Sequence, residues 1–154
     1  MWREYSAESR LAPGSYQGHH LIPSEVICAP QFVRLFTGLS KVGFGADDFA
    51  TNGIALPCTE EEAIRSRLPL HRGPHPRYTE IVRGRVASID LQYRERGSNR
   101  IAALQRMRWL QRGLEKALAT RVIGCLNKRD PFRIDTDFTT LDSNIAKIEN
   151  LTGG

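Results

Sequence analysis

The chain has 154 residues, 40% hydrophobic and 25% charged, with a formal net charge of +5. That length holds one domain with a real core and is short for two; the composition excludes a disordered chain, and no apolar run is long enough to span a bilayer. Arg supplies most of the positive charge and offers a planar fork to phosphate, so a polyanion such as nucleic acid is a candidate partner beside the plainer reading of an ordinary basic domain.

The N-terminus, Met1-Trp2-Arg3-Glu4-Tyr5, lacks the basic-then-apolar layout of a signal peptide, so any export is expected to use another route. Residues 1–17 show no periodicity and contain Pro13-Gly14; they read as an N-terminal arm or a linker, leaving 18–154 as the domain. Ser15 to Ile22 ends at Pro23 and reads as a strand whose end carries His19 and His20. From Ala29 to Leu39, Phe32, Val33, Leu35, Phe36 and Leu39 recur at helical spacing behind Pro30. Gly38, Gly43 and Gly45 then open a loop. Asn52-Gly53 is a turn signal, and Ile54-Ala55-Leu56 behind it reads as a short buried strand stopped by Pro57.

Thr59 followed by Glu60, Glu61 and Glu62 has the form of a helix start, and that helix must end before Pro69. A longer helix is expected from Pro76, with Tyr78, Val82, Arg85, Val86, Ile89 and Tyr93 on one face and Gly97-Ser98 at its end. The next stripe, Ile101, Leu104, Met107, Leu110, Leu114, Leu118 and Val122, predicts the longest helix. Beyond Asn127 the pattern is weak, with a last helical stretch near 145–151. The motif core thus spans 18–93 and a helical extension 99–154. Cys28, Cys58 and Cys125 are odd in number and lack CxxC spacing, so they are expected as buried small apolar side chains.

All four histidines fall between Gly18 and Tyr78, as the adjacent pair His19-His20 and the i, i+4 pair His71 and His75. Imidazoles suit zinc, nickel and related metals, and an i, i+4 pair can present two ligands to one ion. Gly73 and Pro74 argue that this second pair straddles a loop and the helix start. Neighbouring side chains on a strand point to opposite faces, so the adjacent pair divides its roles, one histidine facing a metal and the other a water. Imidazole can take that water's proton at neutral pH. Asn52, with both donor and acceptor, suits a supporting part; a plain turn residue is its alternative.

Three blocks carry a resemblance: Gly18-His19-His20-Leu21-Ile22-Pro23, Asn52-Gly53-Ile54-Ala55-Leu56-Pro57, and His71-Arg72-Gly73-Pro74-His75-Pro76-Arg77-Tyr78. In this order they resemble the AHH/GHH branch of the HNH, or His-Me finger, endonucleases, many of which are C-terminal domains of bacterial polymorphic toxins. The series is also similar to the nuclease colicins. The resemblance implies that His19, His71 and His75 hold one divalent ion (zinc, magnesium, manganese or nickel), that His20 activates water, and that Asn52 supports the catalytic group. Arg72, Arg77 and Tyr78 are weaker candidates for phosphate contact. The spacer between Pro23 and Asn52 is longer than in the colicins, and Gly73-Pro74 is a further departure.

The expected fold is α+β and mostly helical: a small ββα-metal core, with strands near His19–Ile22 and Gly53–Leu56 and a helix from Pro76, surrounded by further helices. The expected activity is metal-dependent hydrolysis of DNA with little sequence preference. A ribonuclease of the same fold and a non-catalytic, metal-stabilised nucleic-acid-binding module are the alternatives. If the domain is a toxin, its expected partners are a delivery module and an acidic immunity protein that complements the basic surface. It would leave the producing cell through a specialised secretion system and act in the cytoplasm of the target cell, with no membrane partner.

Overall fold

Two short strands and one long helix position the functional side chains. A computed structural model describes residues 14–123, together with Leu126 and Asp130; most of the expected arm, the tail helix near 145–151 and Cys125 lie outside the described residues. Strand β1 (Tyr16–His20) begins inside the stretch read as an arm and pairs antiparallel with β2 (Gly53–Pro57), placing His19 opposite Ile54 and His20 opposite Gly53. The expected mostly helical α+β architecture is the one observed.

Pro23 leads into a short helix α1 (Ser24–Ile27), and Pro30 opens a 3-10 turn (Pro30–Phe32) that runs into α2 (Val33–Ser40). The residue before β2 is not in a tight turn. A four-residue helix α3 (Phe49–Asn52), capped where Asp48 accepts from the amide of Ala50, leads straight into the strand, and Gly53 has an extended φ of −138°. The Asn-Gly pair therefore does not use left-handed backbone here, and the turn reading is corrected. Thr59 caps α4 (Glu60–Ser66) by accepting from the amide of Glu62, as its sequence predicts.

Helix α5 (Pro76–Glu95) starts at the expected proline and buries Tyr78, Val82, Val86, Ile89 and Tyr93. It packs against α6 (Arg100–Ala119), while α2 lies against α6 and α1 against α5. The expected stripe holds at Met107, Leu110, Leu114 and Leu118, which are buried together with Ala103 and Gln111. Ile101, in the first turn beside the Asn99 cap, departs from it and stays 58% exposed. Small side chains and one amide share that face with the leucines. Among the described residues no helix is long and apolar enough to cross a membrane.

The cysteine reading is also corrected. Cys28 is exposed at the end of α1, where Val26 and Ala29 take the buried positions. Cys58 is half-buried, its thiol donating to the carbonyl of Gly14.

Candidate metal centre and nuclease site

Strand alternation separates the adjacent histidines. His19 points inward and is 1% exposed, whereas His20 is partly exposed on the other face of the ribbon, edge-on to the ring of Phe49. The inward ring of His19 meets His71 and His75 at centroid separations of 4.9 and 4.7 Å.

His71 and His75 reach the same point from a loop and a helix start, as Gly73 and Pro74 predict. The amide of His71 donates to the carbonyl of Pro57 at 2.7 Å, tying this loop to the end of β2. The preceding amide, of Leu70, donates to Oδ2 of Asp130 at 2.8 Å. Gly73 then turns the chain with a φ of +71°, a conformation that glycine adopts at little cost, and His75 becomes the residue that precedes the first turn of α5.

One potential ligand nitrogen from each of the three histidines lies within 4.8 Å of the others. The Nε2 atoms of His71 and His75 are 3.3 Å apart; tetrahedral zinc with bonds of about 2.05 Å sets its nitrogen ligands roughly 3.3 Å from one another. Both ring nitrogens of His19, and Nδ1 of His71 and His75, are buried without a hydrogen-bond partner. Orphaned polar atoms of this kind are costly in a folded interior, and an ion held by Nε2 of His71 and His75 would partner one of the two on His19, each imidazole offering one ligand atom.

The electrostatics agree. Burial, then the positive charges His75, His71 and His20 would carry, pushes the pKa of His19 down to about 2. Burial and His75 lower that of His71, and burial lowers that of His75. Near neutral pH the three imidazoles are uncharged and offer lone pairs, the form in which histidine binds a metal.

The surroundings hold this arrangement. Tyr78 packs edge-on to His19 and His75, and its hydroxyl donates to the carbonyl of Leu21 at 2.7 Å. Asn52 is fully buried: its Oδ1 accepts from the amide of Ile22 and from Gln111, and its Nδ2 donates to the carbonyls of Ile22 and Ala46. Its backbone carbonyl also accepts from the amide of Leu21. An asparagine side chain has two donors and two acceptor sites, so Asn52 is saturated, half by Ile22 in the segment that follows His20 and half by Ala46 and Gln111.

Of the residues singled out from sequence, His19, His71 and His75 converge, His20 lies across the strand from them, and Asn52 sits behind the exit of β1. Arg72 and Arg77 are exposed. Tyr78 is only 4% exposed, and its hydroxyl is engaged by the carbonyl of Leu21 beside the histidines. Sequence reasoning missed Gln111, Asp130 and Phe49. A lone amide at a core position of the α6 stripe was a usable signal for Gln111; the other two had none.

One protein family, described as a nuclease family of the HNH/ENDO VII superfamily with conserved AHH, matches residues 3–114. The match takes in both strands, all four histidines and most of α6. The chain matches no curated protein and no solved structure. Nucleases of this superfamily are metal-dependent, in keeping with the histidine cluster. The chain belongs to this AHH nuclease family of the HNH/ENDO VII superfamily, and its substrate is nucleic acid.

Proposed function

We propose that this chain is an endonuclease that cuts DNA with little sequence preference, with His19, His71 and His75 holding one divalent ion and His20 serving as general base. The observation that carries the reading is the division of the adjacent pair, one imidazole buried among two others and its neighbour partly exposed across the strand. Three neutral nitrogen donors without a carboxylate favour zinc, nickel or another transition metal over magnesium. When bound, the ion would supply positive charge against that developing on the scissile phosphate and leaving oxygen.

His20 takes one proton from water as the water oxygen bonds to phosphorus and the bond to the 3′-oxygen breaks. The products are a 5′-phosphate and a 3′-hydroxyl, the latter protonated from solvent. Asn52 and Tyr78 keep Leu21 and Ile22 in place, and with them the end of the strand that presents His20. Arg72 and Arg77 would contact the phosphate backbone, a role that their exposure supports. Such contacts orient a duplex without reading its bases.

The wider biological reading is that of a toxin domain: delivered by a larger polypeptide, active in the cytoplasm of a target cell, and neutralised by an acidic immunity protein. It rests on the family resemblance and the net charge of +5. Plasmid DNA and tRNA, incubated separately with the protein and zinc, nickel, manganese, magnesium or EDTA, test the substrate. Nicked plasmid with a metal and none with EDTA supports the reading; degraded tRNA beside intact plasmid would replace it with the ribonuclease alternative. Protection of expressing cells by a neighbouring gene's product would test the toxin role.

A further inference from the structure

We propose that Phe49 is a positioning residue for His20, and that Gly18 lacks a side chain to admit its ring. This rests on the reading of His20 as the base.

Phe49 opens α3, and its partly exposed ring lies along the two-stranded ribbon on the His20 side. A Cβ placed on Gly18 would come within 2.8 Å of Phe49 Cζ, and one on Gly53 within 2.2 Å of Phe49 Cδ2. Neither glycine has a positive φ, so space rather than backbone conformation excludes a side chain at both. Gly18 and His20 are two apart on β1 and share a face, and Gly53 is the cross-strand partner of His20. The ring therefore fills the hollow formed by the residue two before His20 and the residue opposite it. From there it meets the imidazole edge-on, with centroids 5.9 Å apart and planes at 85°.

The family is described by Ala-His-His, and this chain has Gly18-His19-His20. The missing methyl group and the phenyl ring belong together: an alanine at 18 would push the ring off the strand and remove the wall beside His20. A partly exposed imidazole at the end of a two-stranded ribbon has several staggered rotamers open to it. A ring on one side reduces that set and fixes the direction in which its nitrogen reaches for water. Misplacement of a catalytic group by about 1 Å can cost on the order of a hundredfold in rate.

The test is a mutant cycle on the whole chain, with supercoiled plasmid and whichever metal supports cutting, measuring kcat, KM and bound metal, and with His20→Ala alongside. Phe49→Ala is expected to lower kcat roughly ten- to a hundredfold with KM and metal content unchanged, and Phe49→Leu, which keeps part of the bulk, to fall between. Gly18→Ala should cost about tenfold in the parent and under about twofold in Phe49→Ala, since sites in contact do not add. Parental kcat in folded, metal-loaded Phe49→Ala, or an equal cost of Gly18→Ala in both backgrounds, would overturn the proposal while an inactive His20→Ala left the base intact. A His20→Ala protein that cuts at the parental rate would remove the base reading and this proposal together. Should Phe49→Ala not fold, Phe49→Leu and Gly18→Ala decide, and parental kcat in both overturns it.

Discussion

The side-chain amide of Gln111 donates to Oδ1 of Asn52 at 3.1 Å, joining two buried residues 59 apart in sequence. Through this bond the middle of α6 holds the residue that in turn holds Leu21 and Ile22, immediately after His20. The C-terminal half of the domain is thereby part of the site's support.

Replacing Asn52 with Ala would strand the amide and carbonyl of Ile22, the carbonyl of Ala46 and the amide of Gln111 in the interior. Each unsatisfied buried group costs about 1–3 kcal/mol, so Asn52→Ala should lose roughly 3 kcal/mol or more in denaturant unfolding. Gln111→Leu should lose less, about 1–2 kcal/mol, since Asn52 keeps its bonds to Ile22. Equal losses would argue against the central place given to Asn52.

Tyr78→Phe separates support from substrate contact. It removes the hydroxyl from the carbonyl of Leu21 and should lower stability by about 1–2 kcal/mol, with little change in KM for polynucleotide. A raised KM at unchanged stability would make Tyr78 a phosphate contact instead.

Asp130 fixes the loop before His71. One carboxylate oxygen accepts from Leu70 and the other pairs with Arg121 at 2.7 Å, where the acid is fully buried and the guanidinium largely so. Breaking a buried pair on one side leaves an uncompensated charge, worth about 3–5 kcal/mol. Asp130→Ala should approach that loss and also weaken metal binding, measured by calorimetric titration with zinc. Unchanged metal affinity in a folded variant would show that the loop is held without it.

Acid sensitivity should arise in part at Glu62. The hydrogen bond from Arg65 lowers its pKa below the usual carboxylate value, with further help from Tyr16, while burial opposes the shift. A depressed carboxylate stabilises the fold above its unfolded pKa, near 4.5, and that contribution is lost as pH falls towards the folded value. Melting temperatures of the parent should therefore drop below about pH 4.5 more steeply than those of Glu62→Gln. Parallel curves would mean that other carboxylates dominate the acid limb.

The centre of the site was legible because its chemistry is written in contiguous blocks. His19-His20 on a strand must face apart, and His71 and His75 around Gly73-Pro74 must straddle a loop and a helix start. The cap at Thr59 and the start of α5 at Pro76 are equally local signals. What sequence left hidden was short or long-range. Helix α3 has four residues, too few for a periodic pattern, so Asn52-Gly53 looked like a turn. Gly53 is glycine because Phe49 lies against it, a contact with no local signature. Asp130 sits in a stretch without periodicity, and Gln111 acquires its meaning only when α6 is packed beside Asn52. The thiols of Cys28 and Cys58 were misread because burial depends on which way a short element faces.

The most direct measurement compares His20→Ala with His75→Ala for zinc affinity and for cleavage of supercoiled plasmid. The division of labour predicts that His20→Ala binds zinc like the parent and cuts nothing, whereas His75→Ala loses both. A His20→Ala protein that still cuts at the parental rate, or that loses its metal, would contradict it.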